Sequence, residues 1–408
     1  MSEAVVVPAS GAVHWVGAGL STGSGLADLC ARTDGVRLWH RTEDRAAEAL
    51  DRLGLTGRAA PRAYTLDALT AELAPGDVVV SMLPAPDHAP LLAACVARHA
   101  HFACSSYVSD AVLEQVPAAA KSGLVVLTEA GLDPGIDHLF AHALVARARE
   151  AIGVDTAASY RLTSYCGGIP AVPDDFRYRF SWAPLGVLNA LRSPARYIED
   201  GAETVAARPW EATRRHVVDG EPFEVYPNRD SVPFVEQYGL PPAWRADGFV
   251  RGTLRLDGWL HAWQPVFEEL KAGDDARIAA LARELAAAYP TTDTDRDRVV
   301  LEVRLEVSPQ VSPEVSSAAS PAVEKGSAGS ARGGASWSGS YLLDLVGDEA
   351  ESAMARCVSR TLALGVRQIL AGALPPGLSR AAETAARSAR WLDELAAEGL
   401  EFTRTGDG

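Results

Sequence analysis

Short apolar runs separated by amphipathic stretches set the rhythm of the first third of the chain. The runs at 13–16, 36–39, 77–82, 101–104 and 124–127 have strand length, and the segments at 20–32, 43–53, 87–99 and 108–121 place apolar residues at helical spacing. Strand and helix alternating in this way predict a parallel sheet with helices on both faces. After Glu129 the pattern changes. Pro134, Pro170, Pro173, Pro184 and Pro194 punctuate strand-like stretches such as 158–165, and 214–218 and 249–256 also pattern as strands. The segments 298–307 and 336–346 pattern as the two strands of one hairpin. Between them, 308–335 is rich in Ser, Ala, Pro and Gly and nearly devoid of large apolar residues, so a disordered loop inside a domain is expected there. Helices are expected over 349–370 and 379–398, and at the start of the second region a helix is expected from Gly135.

A chain of 408 residues is too long for one compact core. The division expected is 1–132 for the dinucleotide-binding unit, 133–375 for the substrate unit, and 376–408 for C-terminal helices packing back on the first unit. The net charge of −15 argues against nucleic acid and anionic membrane surfaces as partners. It also means that any anionic ligand must be met by locally concentrated arginines. No run reaches the roughly 18 apolar residues of a membrane helix, and the N-terminus has neither the basic nor the apolar region of a signal peptide. The five cysteines, Cys30, Cys95, Cys104, Cys166 and Cys357, are scattered and form no C-x-x-C pair. A disulfide framework and a structural zinc site are therefore not expected, no bound metal is expected, and a reducing cytoplasm fits best.

A glycine turn follows the first expected strand. Gly17 permits a tight turn, Gly19 lets the backbone approach a pyrophosphate, and the helix beyond is expected to offer free N–H groups. The third glycine of a G-x-G-x-x-G pattern would fall at Thr22, and Gly23 is one position late. At the tip of the second strand, His40, Arg41 and Thr42 stand where an NAD site carries an acid. Arg41 there suits a 2′-phosphate, which favours NADP(H) over NAD, the other reading being a solvated surface arginine. The fold class expected is α/β, an N-terminal Rossmann-type doubly wound parallel sheet followed by a mixed α+β substrate domain.

Further blocks occur in order: SMLP at 81–84, SSY at 105–107, EAGLDPGIDH at 129–138, SYCGG at 164–168, FSW at 180–182, YPNRDS at 226–231 and RGTLR at 251–255. Together they resemble the saccharopine reductase family, the glutamate-forming saccharopine dehydrogenases, from about residue 13 to residue 256. The resemblance implies cofactor contacts at Gly17, Ala18, Gly19, Leu20, His40, Arg41, Thr42, Leu83, Pro84, Asp133, Trp182 and Ala183. Substrate contacts are implied at Ser106, Tyr107, Asp133, Arg229, Thr253, Leu254 and Arg255. Two departures stand out: His40 replaces the usual cysteine, and Ala183 replaces a serine. The implied reaction is NADP-dependent interconversion of saccharopine with glutamate and 2-aminoadipate 6-semialdehyde, in a homodimer.

The residue types suit that chemistry. Saccharopine carries three carboxylates and a secondary amine. Arg229 and Arg255 can each grip a carboxylate bidentately, and Asp133 can face an ammonium or iminium cation. Tyr107, Asp133 and Cys166 are the polar candidates for proton transfer, none of them assigned as the sole base; Cys166 is equally suited to a packing role. Asp137 and His138 at the start of a helix favour a structural role. Two other readings stay open: a related imine reductase of the carboxynorspermidine type, whose cationic substrate would need acids in the cleft, and a non-catalytic NADP-binding protein.

Overall fold

The computed structural model describes residues 5–292, 294–310 and 335–406. Seven strands form the first sheet: β1 (Ala12–Val16), β2 (Gly35–His40), β3 (Ala60–Ala63), β4 (Val78–Ser81), β5 (His101–Cys104), β6 (Val125–Thr128) and, from far down the chain, a strand at Gly377–Arg380. Their order is Gly377–Arg380, β6, β5, β4, β1, β2, β3, with every pair parallel. Both faces are covered, which is why β4 and β6 are buried at every position. The order reverses between β1 and β4. The glycine turn leaves β1 there, and Met82, Leu83 and Pro84 leave β4 beside it, at the carboxyl-end crevice where such sheets take dinucleotides.

Nine strands form a second, mixed sheet. They are β7 (Ala158–Pro170), β8 (Ala195–Glu199), β9 (Ala202–Ala206), β10 (Arg214–Val218), β11 (Glu221–Pro227), β12 (Trp244–Leu256), β13 (Asp297–Pro309), β14 (Trp337–Val346) and a short strand at Thr403–Thr405. Numbered in sequence, the strand at Gly377–Arg380 is β15 and that at Thr403–Thr405 is β16. The main path runs β10, β11, β12, β7, β13, β14, β16, with only the β12–β7 pair parallel on it, and β8 and β9 attach at the side of β12. The helix Ile136–Ile152 packs on this sheet, Phe140 stacking on Tyr341 of β14 at 4.8 Å between ring centres. A separate aromatic cluster gathers Trp259, Trp263 and Phe267 with Tyr178 and Tyr226.

The β13–β14 hairpin is antiparallel, in keeping with the expected pairing. Most of the intervening loop, 311–334, lies outside the described residues, while Ser308 and Pro309 still belong to β13. Several boundaries differ from expectation. The first helix begins at Ser24 rather than residue 20, because Thr22 ties its N–H to the Gly19 carbonyl and its hydroxyl to the Gly17 carbonyl, closing a turn first. The segment 108–121 is two short helices, Asp110–Leu113 and Val116–Lys121, with Pro117 in the first turn of the second. Strand β3 and the helix Leu66–Glu72 carry too little apolar periodicity to stand out in the sequence. Ser379, expected in a helix, lies in β15; the helix that follows is Ala385–Ala397.

The helix Ala353–Leu370 reaches back to the first unit. It lies against the helix Ser24–Arg32, where a Cβ on Gly25 would collide with the Ser359 carbonyl. The Gly25 N–H donates to Ser359 Oγ at 3.0 Å, Arg360 Nε donates to Ser24 Oγ at 2.8 Å, and Arg367 pairs with Asp28 at 3.2 Å.

Candidate cofactor and substrate sites

Gly17 holds φ +106°, and Met82 sits 3.2 Å from where its Cβ would stand, so only glycine fits this close approach of the β1 and β4 ends. Gly19 has nothing within 4 Å of a notional Cβ, which leaves its backbone face open. The amides of Ala18, Gly19 and Leu20 donate to no acceptor among the described residues. The helix beyond is different. Its Ser24 N–H donates to Glu351 Oε1 at 2.6 Å, and the Gly25 N–H to Ser359. The expectation of free helix N–H groups is thereby corrected: the late glycine, Gly23, makes room for the Glu351 carboxylate, and a pyrophosphate is left with the amides of the turn itself.

At the tip of β2 a cavity of about 400 Å³ is lined by Ala18, His40, Thr42, Arg45, Arg52 and neighbouring acids. Thr42 caps the next helix, its hydroxyl accepting the Arg45 N–H at 3.3 Å. Burial, then Arg41, Arg45 and Arg52, hold the His40 imidazole below its usual range and therefore neutral. Arg45 and Arg52 were not singled out in the sequence, because on a helix face they look like any solvated pair.

The substrate side is built on one face of β12, where Arg251, Thr253 and Arg255 alternate inward. Arg251 is buried at the centre of a network built on its Nη2, while its Nε, like that of Arg255, has no partner among the described residues. Its guanidinium donates to Tyr107 Oη at 2.6 Å, Asp133 Oδ1 at 2.8 Å and Asp137 Oδ2 at 2.5 Å, and lies over the Phe234 ring at 4.2 Å. Tyr107 Oη donates to Asp133 Oδ1 at 2.5 Å. Asp137 also accepts the Gly135 N–H at 2.7 Å, pinning the start of the helix Ile136–Ile152. Burial, then Asp137, pushes the Asp133 carboxyl up, and burial pushes the Tyr107 phenol well above its usual range. His138, stacked on Phe234 and hydrogen-bonded to Tyr238 Oη at 2.8 Å, is lowered to about 3 by burial and by Arg251, in line with a structural role.

Arg255 is equally buried and has no ion pair among the described residues. It lies over Tyr178 at 4.7 Å and over Tyr226 and Trp259 at 5.7 Å, donates to the Leu254 carbonyl at 3.1 Å, and leaves Nε without a partner. Glu224, opposite it in register, turns its carboxylate to the N–H groups of Gly258 and Leu260. Arg229 is exposed, at φ +57°, with its guanidinium over the Tyr107 ring at 5.3 Å. It too makes no ion pair among the described residues.

The other expected contacts divide by face. Thr253 is half-buried between the two arginines and pairs across the sheet with Cys166. The Leu254 side chain is buried on the opposite face with Val225 and Phe223, so only its backbone is available to a ligand. Cys166 is buried, and burial raises its thiol well above the usual range. Ser106 is half-buried and hydrogen-bonds His88. Trp182 is half-buried against Gly186, and Ala183 is exposed. Arg251 was visible within the RGTLR block but was not singled out, since nothing local distinguishes it from Arg255.

A glycine turn at the switch point of a parallel sheet, followed by a mixed sheet, defines a two-unit protein with a dinucleotide-binding type of first unit. Residues 13–127 match the family model described as saccharopine dehydrogenase NADP binding domain, and residues 131–400 match that of the saccharopine dehydrogenase C-terminal domain. The chain belongs to the saccharopine dehydrogenase family, and its first unit is that family's NADP-binding domain. It is 41% identical over 198 residues to saccharopine dehydrogenase (NADP+, L-glutamate-forming) of Pyricularia oryzae, and 39% identical over 198 residues to the protein of that name in Saccharomyces cerevisiae. The aligned stretch is 47% of this chain and 42% of the Pyricularia protein, so the chain spans less than half the length of that relative in alignment. The fold matches apo saccharopine dehydrogenase (L-Glu forming) from Saccharomyces cerevisiae at a TM-score of 0.76 and 23% identity, over 97% of this chain and 99% of that one. It also matches homospermidine synthase from Legionella pneumophila at 0.59 and 10% identity, over 98% of this chain and 92% of that one.

Proposed function

We propose that this chain catalyses NADP-dependent interconversion of saccharopine with glutamate and 2-aminoadipate 6-semialdehyde. The observation that carries the reading is Arg255, a buried cation with three aromatic faces around it and no carboxylate. Burying a charge without a counter-ion is costly, and cation–π contacts offset only part of that. A ligand carboxylate would complete the site. Arg229, unpaired over Tyr107, supplies a second grip. A polyamine substrate would instead need free acids, and here Asp133 and Asp137 are bound by Arg251 while Glu129 accepts from Gln237 at 3.1 Å and faces Arg380 at 3.2 Å.

The open turn at Gly19 and the arginine-lined cavity at β2 fit a dinucleotide phosphate. Ala18, Gly19 and Leu20 would hold the pyrophosphate, and His40, Arg41, Thr42 and Arg45 the 2′-phosphate end. Bound NADPH supplies the hydride that reduces the imine carbon. The protein's own part is to hold the two amino-acid halves on the β12 face beside Leu83 and Pro84. Loss of water from the carbinolamine needs a mobile proton, and the short Tyr107–Asp133 hydrogen bond is where one can be held. Cys166 stays a neutral thiol and shapes the floor between the arginines.

The same reading places the boundary between units near residue 132; within 376–408, β15 joins the first sheet beside β6, whereas β16 pairs with β14 of the second. It takes the working form as a homodimer in a reducing cytoplasm, which the five free, buried cysteines suit. Purified protein mixed with saccharopine and NADP+ should produce absorbance at 340 nm together with glutamate and the semialdehyde by mass spectrometry. No NADPH and no cleavage products would overturn the assignment.

A further inference from the structure

A second buried polar chain joins the two halves of the crevice. Ser81 ends β4, paired with Val16 just before the glycine turn and with Cys104 at the end of β5. Its hydroxyl meets His88 Nδ1 at 2.9 Å, and His88 Nε2 meets Ser106 Oγ at 2.9 Å. Ser81 and His88 are both at least 98% buried, whereas Ser106, next to Tyr107 in the chain, is only half-buried. The His88 ring packs edge-on to Phe102. Asp87 is the charged neighbour that favours its protonation, but burial outweighs it and lowers the imidazole to about 4.

A neutral imidazole has one N–H, and the two tautomers leave Ser106 with opposite polarity. If Nδ1 carried the proton, it would donate to Ser81 Oγ. The buried Ser81 hydroxyl would then have a proton and no acceptor among the described residues, a costly arrangement. With the proton on Nε2, Ser81 donates to Nδ1 and Nε2 donates to Ser106 Oγ. The Ser106 hydroxyl is then free to donate outward. We propose that His88 is a positioning residue: the Ser81–His88 relay fixes Ser106 as a hydrogen-bond donor to a substrate carboxylate. The opposite tautomer would turn Ser106 lone pairs toward that anion and repel it. The substrate part of this inference rests on the function proposed above; the direction of the relay does not.

Two measurements test the two parts separately. In protein labelled with ¹⁵N-histidine, the His88 signals, assigned by their loss in His88→Gln, should report the Nε2–H tautomer with no titration above pH 5. An Nδ1–H tautomer, or titration near the ordinary value of about 6.5, overturns the relay whatever the substrate is. In steady-state kinetics, His88→Leu should raise KM for saccharopine about tenfold, the scale of one hydrogen bond to a charged group, with KM for NADP+ unchanged. His88→Gln, whose amide N–H can stand in for Nε2–H, should recover most of the loss. In a Ser106→Ala background, His88→Leu should add nothing further. An equal His88→Leu effect with and without Ser106, or a matching rise in KM for NADP+, refutes action through Ser106.

Discussion

Arg251 and Arg255 lie four residues apart on the same face of one strand, both nearly inaccessible, and the protein treats them in opposite ways. Around Arg251 it has gathered Asp133, Asp137 and Tyr107, so its positive charge is met by carboxylates inside the fold. Around Arg255 it has gathered Tyr178, Tyr226 and Trp259, which tolerate a cation without neutralising it. The first arrangement joins the two units, since Tyr107 follows β5 and Asp137 opens the helix on the second sheet. The second leaves an attraction for an anion that only a ligand can satisfy. Identical side chains in one short block thus divide into architecture and recognition according to what faces them.

The largest effect should come from breaking the balanced centre. Arg251→Met leaves two carboxylates buried without their cation, and removal of one partner from such a network costs about 3–5 kcal/mol. Urea unfolding at pH 8 should show that loss. It should shrink as the pH falls toward about 4, because a carboxyl whose folded pKa is raised binds its proton more tightly folded than unfolded, so acid favours the folded variant. A variant as stable as the parent at pH 8 would mean that Arg251 is not what balances Asp133 and Asp137.

That division could not have been read from RGTLR alone. The alternating pattern of β12 puts both arginines on one face, but the partners come from 118 and 114 residues away in one case and are the aromatics Tyr178, Tyr226 and Trp259 in the other. What was legible was what repeats locally. The strand–helix alternation revealed the parallel sheet, and the motif blocks brought Tyr107, Asp133, Arg229 and Arg255 to attention. The relay through His88 was not legible, because a histidine early in an apolar helix carries no local signal of its distant partners. Nor was the Glu351 carboxylate at the first helix, which arrives from 327 residues along the chain.

Next in size is the complementary change at the unbalanced centre. Arg255→Met removes a buried cation that has no internal ion-pair partner, so stability should hold or rise, while KM for saccharopine rises about a hundredfold through loss of a desolvated charge-assisted contact. A variant that unfolds like Arg251→Met would erase the contrast between the two sites. Arg229→Ala should raise the same KM by about tenfold, less than Arg255 because the guanidinium is exposed and screened. That penalty should diminish further in 0.5 M salt, whereas the Arg255 penalty should persist; equal salt sensitivity would place both arginines at the surface.

The smallest effect belongs to arginines that are neither balanced nor buried, those at the tip of β2. Arg41 and Arg45 are both exposed near His40, Arg45 lining the cavity and Arg41 beside it in the chain, so a 2′-phosphate there would be met by several cations rather than one. Each single change to alanine should therefore lower the preference for NADP+ over NAD+, measured as the ratio of kcat/KM values, only about threefold to tenfold, on the scale of an exposed charge pair. The double variant should lose more than either alone, because the second arginine no longer compensates for the first. KM for saccharopine should stay constant throughout. A ratio that does not move in the double variant would show that these side chains face solvent, and would move the phosphate selectivity of the turn to His40 and Thr42.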